Sequence, residues 1–228
     1  MSQKIKSNTP TWQKLLFGIM NTDKDKRITK FSEKPKQPES DLASLGIYIF
    51  TTDVLIKALN EDAKDTSSEH DFGKNIIPKL LGENKRLFAY EFSDFWMDVG
   101  TIPAYWEASM DLLSTNPKFK LATKGAKIYS NETDEPPQYI GKNAKISESL
   151  VGNGVKVLGN VTHSVLSTEA FVDEGAEIVD SVLLPYAKVG KNAKVYRAII
   201  GENAILADNE TFGDLKEDGE IMVLGGDK

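Results

Sequence analysis

The chain has 228 residues, of which 40% are hydrophobic and 27% are charged, which is typical of an ordinary soluble protein. Its 28 basic and 34 acidic residues give a formal net charge of −6, which argues against a nucleic-acid-binding surface. There are no cysteines, so disulfides and thiolate zinc sites are excluded and the composition leans toward the cytoplasm. No run of about twenty apolar residues predicts a membrane span.

The first predicted elements are two strands joined by a polar turn. Residues 21–26 are polar and separate an apolar run at 17–20 from alternating apolar and polar residues at 27–31. This pattern predicts a β-hairpin. Glu33 and Lys34 follow, and two prolines then force an extended loop.

Further strands and helices alternate up to residue 92. β-Branched and aromatic residues at 45–50 and 87–92 predict two more strands, because such side chains fit a pleated surface. Between them, one helix is predicted from Thr52. A second apolar stripe ends at Gly82, and Pro78 within it predicts a kink or a late helix start.

A third predicted helix precedes a change in character. Thr101 is predicted to cap this helix, with a proline in its first turn. Its predicted buried face consists of Tyr105, Trp106, Met110 and Leu113. Residues 114–138 are rich in polar residues and proline, so they predict a linker between a first domain at 1–113 and a second at 139–228.

The second predicted domain is built from repeats. Three similar hexads share the order aliphatic, glycine, charged, asparagine, alanine. Aliphatic residues recur every six positions with one five-residue step per cycle, so Leu166, Leu183 and Ile200 are 17 residues apart. Three flat sides per turn predict a parallel β-helix of about four coils, each covered by its neighbours. The first coil is interrupted near His163.

Polar groups at the ends of two predicted strands are the first functional signal. Glu33 and Lys34 follow one strand, and Ser44 precedes the next. Open α/β sheets bind ligands at such strand ends. From these residues alone, a surface ion pair beside a turn is the favoured alternative.

Five sequence blocks stand in order along the chain. They are FGIMN at 17–21, RITKFSEKPKQPESDLASLGIYIF at 27–50, HDFGKNIIP at 70–78, FWMDVGT at 95–101 and WEASMDLL at 106–113. Together they resemble the motifs of the ADP-glucose pyrophosphorylases, the glucose-1-phosphate adenylyltransferase family. An ordered set of blocks is far more specific than any one of them.

The resemblance implies both a fold and a reaction. The fold is part of an α/β, Rossmann-like nucleotidyltransferase domain, followed by a left-handed parallel β-helix of hexapeptide repeats. The reaction joins ATP and α-D-glucose 1-phosphate into ADP-glucose and diphosphate, in glycogen biosynthesis. Such a step depends on charge neutralisation and in-line positioning, with Mg²⁺ as the implied cofactor.

Matching positions give the implied site residues. The glucose 1-phosphate contacts are Gly18, Glu33, Lys34, Ser44, Asp71, Phe72 and Trp96, with Lys34 on the phosphate. Asp98 is implied at Mg²⁺ and, with Lys34, in catalysis. Arg197 matches an arginine that binds anionic effectors in some family members.

Structural roles remain open for several of these residues. Asp98 and Asp71 could cap helices, Phe72 and Trp96 could be core aromatics, and Arg197 could be an ordinary exposed residue. Two isolated histidines without suitable spacing do not predict a metal site. One of them lies in the repeats and leaves a hexapeptide acyltransferase as a disfavoured alternative.

Two family features are missing from the predicted catalytic part of the sequence. The family's glycine-rich GGxGTRL loop, which cradles nucleotide phosphates, does not occur here, and residues 1–113 contain no Gly-Asp pair for a second metal carboxylate. We therefore expect the sugar-phosphate half of the catalytic domain, with most of the ATP site elsewhere and no activity by this chain alone. A half sheet would expose an apolar face and an edge. The resemblance implies a homo-oligomer, a tetramer in the family, or association with a partner subunit. A non-catalytic regulatory subunit remains an alternative.

Overall fold

The computed structural model describes residues 2–4, 17–120, 134–216 and 219–225. The chain divides into two compact units between Asp94 and Phe95.

The first unit is built on a four-stranded antiparallel sheet. Its strands are β1 (Ser2–Lys4), β2 (Ile19–Thr22), β3 (Ile28–Ser32) and β4 (Leu42–Ser44), in the order β1-β4-β2-β3. The predicted hairpin is confirmed, because β2 and β3 pair antiparallel across the polar turn.

Two predicted strands of this unit are wrong. Residues 45–50 do not form a strand, because Gly46 adopts a φ of +69° and ends the extended run that begins with β4. Residues 87–92 make only isolated bridges. The amide of Ala89 donates to Lys26, and Leu87 accepts from Ile28, which is too little pairing for a strand.

The helices of the first unit follow the predicted pattern. Helix α1 is Thr52–Asp62, and helix α2 is Ile77–Gly82 with its proline in the first turn, which confirms the late start. A π-helical turn, Phe72–Ile76, leads directly into α2. Among the described residues of this unit, the buried side chains include two small apolar clusters. One contains Met20, Leu42 and Ala89, and the other contains Ala58, Ile76 and Leu80.

The second unit begins with a loop and helix α3, Ile102–Asp111. As predicted, Thr101 caps this helix, its hydroxyl oxygen accepting a hydrogen bond from the amide of Ala104 at 3.4 Å. Met110, with Tyr105 and other residues of the predicted face, packs on the repeats.

The rest of the second unit is a parallel β-helix of about four turns, so the predicted architecture is confirmed. One sheet contains β5 (Tyr139–Ile140), β8 (Lys156–Val157), β11 (Phe171–Val172), β14 (Lys188–Val189) and β17 (Ile205–Leu206). The second contains β6 (Lys145–Ser147), β9 (Asn160–Thr162), β12 (Glu177–Val179), β15 (Lys194–Tyr196) and β18 (Thr211–Gly213). The third contains β7 (Leu150–Val151), β10 (Val165–Leu166), β13 (Val182–Leu183), β16 (Ala198–Ile200) and β19 (Met222–Leu224).

The strand register matches the 17-residue period. Leu166 pairs with Leu183, and Leu183 pairs with Ile200, in parallel. Their side chains lie in a continuous core that excludes solvent almost completely. The last strand, β19, pairs with β16 and ends the third sheet.

The interruption of the repeat that was predicted near His163 is present a few residues before that histidine. Val157 and Val161 occupy successive sides but are only four residues apart, where the repeat has six. Gly159 turns this shortened corner, and a Cβ atom there would lie 2.7 Å from the carbonyl oxygen of Asp173. Only glycine fits so close to the next coil.

The compact units divide earlier than the predicted linker. Helix α3 was predicted within a domain at 1–113, but its apolar face packs on the β-helix, so it belongs to the second compact unit. Much of the predicted linker at 114–138 lies outside the described residues.

Candidate functional site

Glu33 leaves strand β3 with its carboxylate between two glycines. A Cβ atom at Gly18 would lie 2.7 Å from Glu33 Oε2 and 2.5 Å from Phe31 Cζ. A Cβ atom at Gly73 would lie 2.8 Å from Glu33 Cδ. Neither glycine can gain a side chain without displacing the carboxylate, so both are needed where they stand.

The surroundings of this carboxylate disfavour its charge. Burial raises the pKa of Glu33 above its ordinary value of 4.5, and the nearby charge of Asp71 raises the pKa further. Lys34 and Lys74 act in the opposite direction and lower the pKa. A ligand that donates hydrogen bonds to these carboxylates, as sugar hydroxyls can, would compensate for the loss of water around them.

Lys34 has an unusual backbone conformation. Its φ is +44°, in the left-handed region that non-glycine residues avoid. Its amide donates to the carbonyl oxygen of Phe17 at 3.2 Å, which holds the loop to the residue before Gly18. The side chain is exposed, so the ammonium group is accessible to an anionic ligand.

Ser44 is buried at the end of β4 and contacts both Gly18 and the aromatic residue Tyr48. Its amide donates to the carbonyl oxygen of Gly18 at 2.7 Å. Its hydroxyl lies 3.3 Å from Tyr48 Oη and accepts a hydrogen bond from the amide of Gly46 at 3.3 Å. The Tyr48 ring stacks on Phe72, with ring centroids 5.5 Å apart.

These contacts connect six residues that the sequence predicted. They are Gly18, Glu33, Lys34, Ser44, Asp71 and Phe72, and they form what we call the Glu33 cluster. Asp71 also caps the π-helical turn, accepting a hydrogen bond from the amide of Lys74 at 2.8 Å. The cap and the cluster are compatible, and the binding roles of these residues stay predictions.

The other predicted residues lie in the second unit. Asp98 Oδ1 accepts a hydrogen bond from the amide of Gly100 at 3.0 Å, in the loop that leads to Thr101. Trp96 is half-buried in the same loop. Arg197 stands at a corner of the β-helix, its guanidinium 4.7 Å from the centroid of the Trp106 ring.

Sequence reasoning missed two members of the site. Gly73 lies inside the HDFGKNIIP block, but only the structure shows that its missing side chain makes room for Glu33. Tyr48 was assigned to a strand, whereas its hydroxyl faces Ser44. Burial raises the pKa of Tyr48, and the charges of Glu33 and Asp71 raise it further, so the phenol stays protonated near both carboxylates.

Both histidines have a carboxylate partner that the sequence did not reveal. His70 Nδ1 lies 2.8 Å from Asp62 Oδ2, and Ser68 donates to the other oxygen of Asp62 at 2.6 Å. These two contacts of Asp62 hold in place the loop immediately before Asp71. His163 Nδ1 lies 2.6 Å from an Asp180 carboxylate oxygen, one coil further on. The 17-residue period contained the signal for this second pair.

The described residues do not form a metal site by themselves. Among them, no group of three or more His, Cys, Asp or Glu side chains could hold an ion. Mg²⁺ is commonly held by one or two protein carboxylates, with water and substrate phosphates in the remaining positions. The single carboxylate of Asp98 fits a shared site of that kind and not a protein-only cage.

A groove of about 480 Å³ with a mixed polar and apolar lining lies beside Ser44 and Tyr48 in the first unit. Met20, Phe31 and Leu80 are among its lining residues. Two large apolar side chains of its lining are exposed, Ile49 by 88% and Phe88 by 57%. Both lie outside the sheet strands, so the apolar sheet face stays a prediction.

Comparisons with known proteins agree with this arrangement. A nucleotidyl transferase family model matches residues 7–115, and a GlmU-like C-terminal hexapeptide model matches residues 126–223. Glucose-1-phosphate adenylyltransferases of Bacillus cereus, Bacillus thuringiensis and Bacillus anthracis are 43% identical over 212 residues. The match covers 93% of this chain and 56% of each relative. The chain is a homologue of the glucose-1-phosphate adenylyltransferases.

The resemblance stated from the motifs is thus confirmed over nearly the whole chain. The chain spans a little more than half the length of these glucose-1-phosphate adenylyltransferases. Its Glu33 cluster lies within the nucleotidyl transferase match, and its β-helix lies within the hexapeptide match. No helix among the described residues is long and apolar enough to cross a membrane.

Proposed function

We propose that this chain forms the sugar-phosphate side of a cytoplasmic adenylyltransferase. The reaction converts ATP and α-D-glucose 1-phosphate into ADP-glucose and diphosphate for glucan biosynthesis. The observation that carries the proposal is the Glu33 cluster, in which a half-buried carboxylate, an accessible ammonium group and a buried serine are brought together by two glycines. The relatives' shared name supports the choice of substrate.

Each group in the cluster has a distinct task in this proposal. Lys34 binds the phosphate as a point charge, while Glu33 and Asp71 accept hydrogen bonds from glucose hydroxyls. Ser44 and the backbone of Gly18 line the proposed sugar-phosphate site. In this reaction the sugar phosphate itself is the nucleophile, so these residues act by orienting it for attack on the α-phosphate of ATP.

Asp98 and Mg²⁺ belong to the proposal as well. Asp98 would contribute one carboxylate to a Mg²⁺ ion that is otherwise held by phosphate oxygens and water. When bound, the ion would neutralise negative charge on the phosphates. Arg197 as a contact for anionic effectors, and assembly into a homo-oligomer or with a partner subunit, remain proposals from the family resemblance.

Calorimetric titration with glucose 1-phosphate tests the cluster directly. Lys34→Ala is expected to weaken binding about ten- to hundredfold, because a charge-assisted hydrogen bond contributes about 1.5–3 kcal/mol. Lys36→Ala is the matched control, since Lys36 is also an exposed lysine of the same loop. Equal affinities for the two variants would remove the proposed phosphate contact and favour a regulatory subunit without a working sugar site.

A complementation assay tests the reaction. The glycine-rich nucleotide loop does not occur in this sequence, so we expect diphosphate release from ATP and glucose 1-phosphate only when a nucleotide-binding region is added. The part of the Bacillus cereus relative outside the matched stretch, which covers 56% of its length, is a suitable source. Restored turnover that Lys34→Ala abolishes supports the proposal. Robust turnover by this polypeptide alone would contradict the assignment of only the sugar side to it.

A further inference from the structure

One corner of the β-helix carries a column of ionisable side chains. His163, Asp180 and Arg197 are 17 residues apart, with φ values of +45°, +49° and +47°. Each therefore occupies the same left-handed corner position on successive coils. Glu148, with a φ of +48°, precedes them, and Asp214 follows, its pKa lowered mainly by hydrogen bonds from Lys216 with a smaller contribution from Arg197. We call these five residues the corner column.

Helix α3 is fastened to this column by one tryptophan. The indole N–H of Trp106 donates to the backbone carbonyl oxygen of Asp180 at 2.8 Å. The guanidinium of Arg197 lies 4.7 Å from the centroid of the same ring, within the range of a cation–π interaction. Arg197 Nε is buried without a hydrogen-bond partner among the described residues, so the stack on Trp106 is a main contact of this side chain. The carboxylate of Asp180 in turn binds His163.

Apolar side chains also hold α3 against the β-helix, in addition to the contacts of Trp106. Met110 of α3 packs with Val182 and Ile199, which lie on the outer face of the third sheet. Both aliphatic side chains are at least 95% buried, although they point away from the β-helix core. The helix is therefore attached along its length and not only at Trp106.

The loop that carries Asp98 is held at both ends within the same unit. At its end, Asp98 accepts from Gly100, and Thr101 caps α3. At its start, Phe95 stacks on Phe119, with ring centroids 5.5 Å apart and planes inclined by 10°.

We propose that Trp106, Arg197 and Asp180 are positioning residues for Asp98. The corner column of the β-helix fixes α3, and α3 fixes the loop from which the Asp98 carboxylate projects. The catalytic part of this inference rests on the proposed role of Asp98 at Mg²⁺. The physical claim, that the β-helix holds the loop, can be tested without any substrate.

Hydrogen exchange of the full chain, followed by mass spectrometry, tests the claim. Trp106→Phe and Arg197→Met are expected to raise exchange of the amides at 95–101 by about tenfold, because each removes a contact between α3 and the β-helix. A tenfold change corresponds to about 1.4 kcal/mol. Arg197→Met removes the guanidinium group but keeps an unbranched aliphatic stem at this position. It is therefore the milder change if Trp106→Phe detaches the helix completely. Amides of the coils at 165–206 should keep their protection.

Tyr196→Phe is the matched control. Tyr196 neighbours Arg197, but its hydroxyl bonds to Glu177 at 3.0 Å. Its loss should leave the loop at 95–101 unchanged. Wild-type exchange in that loop for both Trp106→Phe and Arg197→Met would overturn the proposal.

Turnover in the complemented enzyme separates the two claims. A fall in kcat at unchanged KM for Arg197→Met, alongside faster exchange, would show that holding the Asp98 loop contributes to catalysis. If Asp98→Asn leaves turnover intact while Arg197→Met still loosens the loop, the holding of the loop stands and the proposed role of Asp98 fails.

Discussion

The two units bury their apolar side chains in different ways. In the β-helix, every coil covers the next, and Val157, Ile178 and Ile200 are completely inaccessible in one continuous core. The described part of the first unit has no such continuous core: its buried residues include two separate small clusters, with an open groove beside them. A solenoid thus completes its own core by repetition, whereas the α/β unit leaves apolar surface available to another chain segment.

The largest expected effect tests the continuity of the β-helix core. Ile178→Ala should lower the free energy of unfolding of the β-helix by about 2–5 kcal/mol, because surrounding coils cannot collapse into the cavity. Ile76→Ala, in a cluster of the first unit, should fall at the low end of that range, because a small cluster relaxes more easily. Urea unfolding followed by circular dichroism measures both.

The control for this comparison is an aliphatic residue on the outside of a coil. Ile205 is 66% exposed, so Ile205→Ala should change stability by less than about 0.5 kcal/mol. The contrast between the units fails if Ile76→Ala costs as much as Ile178→Ala, or if the exposed and buried changes in the β-helix are equal.

A pair of glycines gives the next largest contrast. Gly159→Ala should destabilise the β-helix by about 1–3 kcal/mol, since its Cβ atom would press against backbone carbonyl oxygens of the next coil. Gly82→Ala at the end of α2 meets no atom within 4 Å and should stabilise the first unit by about 0.5–1 kcal/mol. Thermal denaturation should therefore show opposite signs, and equal signs would contradict the packing at Gly159.

The same regularity decides how much the sequence could predict. A 17-residue period fixes which side chains face inward, so the coils and their register followed from Leu166, Leu183 and Ile200 alone. The first unit has no period to read. Its strands are short, and Gly46 could end one of them two residues after Ser44 without any change in hydrophobicity.

The candidate site shows a similar division. Glu33, Lys34 and Ser44 lie in motifs and could be predicted, because the family resemblance supplied their positions. The space that Gly73 leaves for Glu33 depends on contacts between segments about 40 residues apart, which no local pattern encodes. The packing of α3 on the β-helix was missed for the same reason, since Trp106 and Asp180 are 74 residues apart.

A pH-dependent prediction concerns the first unit. Hydrogen bonds from Ser68 and His70 lower the pKa of Asp62 below its ordinary value of 3.8. Because the folded-state pKa is lowered, the ionised carboxylate stabilises the fold at pH values above 3.8. That contribution is lost as the pH falls through the lower folded-state pKa.

Asp62→Asn should therefore remove part of the acid sensitivity of the first unit and lower its stability at neutral pH. Asp25→Asn, in the exposed turn of the hairpin, is the control and should leave the acid transition in place. Unfolding curves between pH 2 and 7 measure the effect, and a wild-type pH dependence for Asp62→Asn would refute the anchoring role of this pair.

The smallest expected effect compares two threonines that precede helices. Thr101 accepts a hydrogen bond from the Ala104 amide at 3.4 Å, near the long limit for such a bond, whereas Thr51 makes no side-chain cap bond at the start of α1. Thr101→Ala should cost about 0.5 kcal/mol, the lower end for a helix cap, and Thr51→Ala should cost close to nothing. Thermal unfolding gives the two values. Faster hydrogen exchange at 95–101 in Thr101→Ala alone would connect the cap to the Asp98 loop, and equal behaviour of both variants would show that packing of α3 on the β-helix is sufficient to hold that loop.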